Sequence, residues 1–122
     1  MADPRPGLAR RGEAAAARRL EQEGYRILEA NHRSPLGEID LIARDGDTLV
    51  FVEVKTRRGR AGSPKEAVTP RKQRRLSLLA LAYLKAHGRL DRPARFDVVA
   101  VTWGGDGPEI EIVRNAFDLC AG

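Results

Sequence analysis

Cysteine is almost absent from this chain of 122 residues: the single one, Cys120, lies near the C-terminus. An intramolecular disulfide is therefore excluded, and so is a zinc site built on thiolates. The two histidines, His32 and His87, have neither the spacing nor the companions of an imidazole metal site, and they suit a surface or a helix end. No apolar run is long enough for a membrane span. Met1 to Arg11 carries charges and prolines where a signal peptide needs an apolar stretch. These absences predict a cytoplasmic protein with no membrane partner. Internal repeats and low-complexity segments are missing as well, and the length suits one domain, 1–122, with enough core to fold unaided.

Positive charge, by contrast, is in excess. Lys and Arg number 22 against 17 Asp and Glu, a net charge of +5. Such a balance favours polyanionic partners, nucleic acid first, although basicity also serves solubility and by itself does not choose between the two.

Leu8 to Glu23 is rich in Ala, Leu, Arg and Glu and reads as a helix that Gly24 ends, with Leu8, Ala9, Gly12, Ala16 and Leu20 as a narrow stripe of mostly small residues. Tyr25 to Asn31 is a weakly marked strand, turned by Ser34, Pro35 and Gly37. Ile39 to Ala43 and Leu49 to Thr56 are clearer strands, and Asp45-Gly46 between them signals a hairpin. Arg57 to Thr69 lacks periodicity and reads as a surface loop. Thr69 then caps a second helix, Pro70 takes its first turn, and Leu76, Leu79, Ala80, Tyr83 and Leu84 form its apolar stripe up to Gly88. Phe96 to Trp103 has the density of an interior strand, and Glu109 to Val113 alternates like an edge strand. The predicted order is αβββαββ, an α/β fold with a mixed β-sheet flanked by helices and a parallel crossover between the third and fourth strands.

The most informative irregularity lies in the third strand. Phe51, Glu53 and Lys55 alternate onto one face, so a strand that could have been wholly apolar places two charges in its buried half. With Asp45 and Gly46 as the central turn residues, Arg44 pairs with Asp47, Asp40 falls opposite Phe51, and Glu38 falls opposite Glu53. Three carboxylates then crowd one patch. A slip of one residue would separate Asp40 from Glu53, so the cluster depends on the register. Mg²⁺ or Mn²⁺, which favour oxygen ligands, would relieve the repulsion and serve phosphodiester hydrolysis, with Lys55 placed to orient water or stabilise developing charge. The competing reading is an ordinary ion pair between Lys55 and Glu53 or Asp40 at a strand end.

Several basic residues suit contact with DNA. Arg71, Lys72, Arg74 and Arg75 crowd the start of the second helix, where the macrodipole disfavours cations and an anion would compensate. Gln73 lies on the stripe facing the sheet and suits either the acidic site or a hydrogen bond at the core edge. Arg57, Arg58, Arg60 and Lys65 follow the candidate catalytic strand. Trp103 suits strand-end packing, or stacking on an exposed base.

The segment GEIDLIARDGDTLVFVEVKTR, from Gly37 to Arg57, resembles the signature of the YraN-like family of small bacterial proteins. Gly12-Glu13, Gly24-Tyr25, Asn31 to Arg33 and the Arg95 to Val99 strand extend the resemblance over nearly the whole chain. That family is regarded as endonuclease-like, similar to archaeal Holliday junction resolvases and within the restriction-endonuclease-like PD-(D/E)xK superfamily. The resemblance implies Asp40 and Glu53 as metal ligands, Lys55 as catalytic, and Glu13 as a further ligand reaching in from the first helix. Ile39 stands where the superfamily's short name has proline. On its own residues, Glu13 reads equally as the helical partner of Arg10 or Arg18. The resemblance implies a DNA substrate, branched DNA by analogy with the resolvases, and cutting of a symmetric junction calls for a homodimer. A required protein partner is also compatible with the sequence. The alternatives are a non-catalytic nucleic-acid-binding module, and an interaction protein whose acidic cluster is a structural ion-pair network.

Overall fold

The computed structural model describes residues 7–59 and 68–119. Helix α1 spans Gly7–Gln22, and three strands follow: β1 (Arg26–Ser34), β2 (Gly37–Asp45) and β3 (Thr48–Arg58). Helix α2 (Pro70–Ala86) leads to β4 (Ala94–Gly104) and β5 (Gly107–Phe117). The five strands form one sheet in chain order, with β3 and β4 parallel and every other neighbour antiparallel. The order αβββαββ is the one the sequence predicts, and no helix among the described residues is long and apolar enough to cross a membrane.

Each helix covers one face, because alternate strand residues are apolar on both sides. Ala16 and Leu20 of α1 pack with Tyr25, Leu41, Val50, Val52, Val99 and Val101. Leu76, Leu79, Ala80 and Tyr83 of α2 pack with Ile42, Phe51, Phe96 and Val98 on the other face. Helix α2 begins as its sequence dictates: Thr69 accepts a hydrogen bond from the Lys72 N–H at 3.2 Å, and Pro70 follows it.

Two expectations are corrected. The β2–β3 hairpin pairs Asp45 with Thr48 and Arg44 with Leu49, so its central residues are Gly46-Asp47 and not Asp45-Gly46. Gly46 has φ +61° at the first central position, where a type II′ turn requires glycine, and Asp47 needs no positive φ. The register differs from the expected one by two residues, which preserves every side chain's face. Arg57 and Arg58 are also strand residues and not loop residues, because β3 continues along β4 as far as the Arg58–Trp103 pair.

Candidate metal centre

The hairpin ladder stops at Leu41–Val52, and the next step along it sets Asp40 against Glu53, where the sequence reading had set Phe51. Beyond that point β2 and β3 part. The Val54 N–H, freed from the ladder, donates to Asp40 Oδ2 at 2.8 Å. A carboxylate side chain thus takes over a backbone bond at the fork of the sheet, which fixes the Asp40 side chain there.

Helix α1 delivers the next acid. A Cβ at position 12 would overlap the Thr56 hydroxyl, so only glycine lets α1 lie this close to β3. Glu13 follows immediately, and Glu13, Glu38 and Asp40 each bring one oxygen within 4.8 Å of the others. Glu38 is therefore not opposite Glu53: it pairs with Arg33 across β1 and β2, with the guanidinium 3.4 Å from its carboxylate.

Glu53, only 8% exposed, stands beside Asp40 and ion-pairs with Lys72 from the first turn of α2. Burial, then the negative charge of Glu53, pushes the Asp40 carboxyl up to about 8 against the stabilising Val54 N–H, and Glu13 adds to the rise. Four acids thus converge with one lysine among them. Hard oxygen donors in such a group suit a divalent cation, and the residues that could hold it are Asp40, Glu13 and Glu38, with Glu53 available once Lys72 withdraws.

Lys55 follows Glu53 by two on the same face but is exposed, so only Glu53 of the two charges expected in the buried half of β3 is buried. Arg57 donates through Nε to Thr102 Oγ1 at 3.1 Å, and Arg58 is exposed at the strand end. Arg71, Arg74 and Arg75 are exposed at the start of α2, whereas Lys72 turns into the acidic group. Gln73 makes the core-edge bond, donating to the Val68 carbonyl at 3.0 Å. Arg60 and Lys65 lie outside the described residues. His32 bonds Glu29 at 3.0 Å and meets the Tyr83 ring edge-on, while His87 stacks on the same tyrosine.

Two features escape the sequence reading. One is Lys72 as the counter-ion of Glu53, which requires knowing how far α2 overhangs β3. The other is Asp97, fully buried and bonded to the Tyr25 hydroxyl at 2.7 Å, Arg95 Nε at 3.0 Å and the Asn115 N–H at 3.0 Å. A signal for it exists in the sequence: Arg95 and Asp97 alternate onto one face of an otherwise apolar strand.

Residues 12–101 match the model of the uncharacterised protein family UPF0102. A UPF0102 protein of Syntrophus aciditrophicus is 56% identical over 113 residues, covering 91% of this chain and 88% of that protein. One of Rhodococcus jostii is 56% identical over 112 residues, covering 90% of this chain and 95% of its own. Among solved structures, that of Pyrococcus furiosus SfsA in complex with Ca²⁺ aligns with a TM-score of 0.45 and 17% identity, over 87% of this chain and 62% of that one. The family match spans the fork of the sheet, α1 from Gly12 onward, all of α2 and every acid of the cluster, and by it the chain belongs to the uncharacterised protein family UPF0102.

Proposed function

We propose that this protein is a Mg²⁺- or Mn²⁺-dependent DNA endonuclease of the PD-(D/E)xK, restriction-endonuclease-like kind, hydrolysing phosphodiester bonds. The observation that carries the reading is the convergence of Glu13, Glu38 and Asp40 within 4.8 Å, with Glu53 adjacent and Lys55 on the same strand. Buried like charges are costly unless they have a task, and a divalent cation supplies that task by stabilising a phosphoryl oxygen and acidifying water.

Asp40, Glu13 and Glu38 would hold the ion, with Glu53 joining them once Lys72 leaves it. The Lys55 ammonium neutralises charge on the scissile phosphate and orients the attacking water. Exposed Arg71, Arg74 and Arg75 meet backbone phosphates at the positive end of α2, joined by Arg57 and Arg58 from the end of β3. Lys72, freed from Glu53, adds a cation to that surface. Gln73 holds the chain before α2 through Val68. By the family analogy the substrate is branched DNA, and a symmetric junction is cut by a homodimer.

The test is cleavage of labelled single-stranded, duplex, flap and four-way-junction DNA with Mg²⁺ and with Mn²⁺, by wild type, Glu53→Ala and Lys55→Ala. Metal-dependent products that both variants lose by about 10²-fold or more are expected. A second reading follows from the Lys72–Glu53 ion pair, which neutralises an acid of the cluster without any metal. It makes the protein a non-catalytic nucleic-acid-binding module, and salt-sensitive binding by all three proteins with no cleavage of any substrate would establish it instead.

A further inference from the structure

On the face of the sheet away from α2, a groove of about 470 Å³ runs between α1 and the β4–β5 edge. Its walls are Arg11, Arg18 and Arg19 on one side and Trp103, Pro108 and Ile110 on the other. None of these residues belongs to the acidic cluster. The Arg11 guanidinium lies over the Trp103 ring, 4.7 Å from its centre. A second depression shares Arg11 and Trp103 and extends to Arg58 at the end of β3, so the track continues toward the strand that carries Glu53.

We propose that this groove binds single-stranded nucleic acid, with Trp103 as the stacking surface for a base and the α1 arginines as the phosphate contacts. Three observations carry the assignment. First, among the described residues no carboxylate forms an ion pair with Arg11, Arg18 or Arg19, which line one groove together, while Glu109 and Glu111 lie in an adjoining depression at its Arg19 end. Second, the groove joins these charges to an indole and an apolar floor of Ala14, Ala15 and Ile110. A flexible strand presents both phosphates and bare base faces to such a surface, whereas a duplex hides its base faces in the stack. Third, Arg11 and Arg18 are separated by seven residues, about 10 Å along the helix, so the charge follows the length of the groove and is not one point.

The consequence reaches the cluster on the fork. Glu53 and Arg58 are five residues apart on β3, about 17 Å. A substrate with a duplex at the start of α2 would engage both surfaces only through a flexible single-stranded arm that passes round the Arg58 end of β3 to the opposite face, which specifies DNA with an unpaired arm. This last step rests on the nuclease reading, but binding in the groove does not.

Trp103 is the only tryptophan, so its own fluorescence reports the groove. Oligo-dT is titrated in excess EDTA, where no metal-dependent cleavage can contribute, alongside a blunt duplex and poly-glutamate at matched charge. Oligo-dT is expected to quench Trp103, and the duplex and poly-glutamate are not. By anisotropy of labelled oligo-dT, Arg11→Ala with Arg18→Ala should weaken binding about tenfold and lower the salt slope by about 1.4. Trp103→Ala should cost about tenfold, and Trp103→Phe should restore most of it. Thermal melts check that the variants fold, and quenching of wild type needs no variant. Absence of quenching by oligo-dT overturns the proposal. So does equal quenching by poly-glutamate, which would make the groove a site for acidic peptides, or an unchanged salt slope in the double variant. Quenching in EDTA together with no cleavage under metal would leave the groove standing and the nuclease reading fallen.

Discussion

Asp97 and Asp40 are both aspartates withdrawn from solvent in the sheet, and they live in opposite company. Asp97 accepts from a tyrosine hydroxyl, a guanidinium and a backbone N–H, and Arg95 is held in turn by Asp45 at 2.7 Å. Burial works against the charge on Arg95, but its bonds to Asp97 and Asp45 outweigh this and raise its pKa. Burial, then the bond to Asp97, raises the Tyr25 hydroxyl. Asp40 has one backbone donor and three acids around it. Burial of a carboxylate is thus no sign of function by itself. A structural acid is surrounded by donors, and an acid suited to hold a cation is left short of positive charge that something else must bring.

The comparison can be broken first at its stable member. Asp97→Ala strands Arg95 and Tyr25 without their shared acceptor and should cost about 3–5 kcal/mol, read as the loss in a urea or thermal melt. Equal stability of this variant and wild type would show that Asp45 alone satisfies Arg95.

Asp40→Asn should act in the opposite sense. The folded-state pKa of Asp40 is raised from 3.8 to about 8, so its protonated form is favoured by folding. Its contribution is complete below about pH 4 and is lost as pH rises through about 8. In metal-free protein the variant should therefore gain on wild type progressively across that window, and Mg²⁺ should stabilise wild type alone. A variant less stable than wild type at pH 8 would contradict the account by burial and neighbouring negative charge.

Gly12→Ala should push α1 away from Thr56 at a cost of about 1–2 kcal/mol and weaken Mg²⁺ binding through Glu13, with partial relief from Thr56→Ala in a double-mutant cycle. The smallest effect belongs to Lys72→Ala. Removing the half-exposed counter-ion of Glu53 should cost about 0.5–1 kcal/mol without metal, while Mg²⁺ binding measured by calorimetry tightens because its competitor is gone. Weaker Mg²⁺ binding would mean that Lys72 supports the site and does not compete for it.

Periodicity and turn chemistry are local properties, and the elements they govern were legible. Small and apolar stripes marked α1 and α2, Thr69-Pro70 marked a helix start, and alternation assigned Glu53 and Lys55 to one face of β3. The hairpin was legible as a hairpin, but its register was not. Gly46 can occupy either central position of a two-residue turn, and the choice depends on how β3 pairs with β4 as well as with β2. The even displacement kept Asp40 on its face, which is why the acidic patch survived a wrong register.

By itself the sequence determined the order of elements, the placing of Glu53 on the inward face of β3 and the excess of positive charge, because each follows from residue identity at short spacing. Tertiary structure alone decided that β2 and β3 part at Asp40 and that Gly12 lowers Glu13 to the fork. It also decided that Lys72 answers Glu53 and that Arg11 lies on Trp103. Those contacts join residues far apart in the chain, and their geometry depends on how closely each helix packs against the sheet, a distance no local pattern encodes.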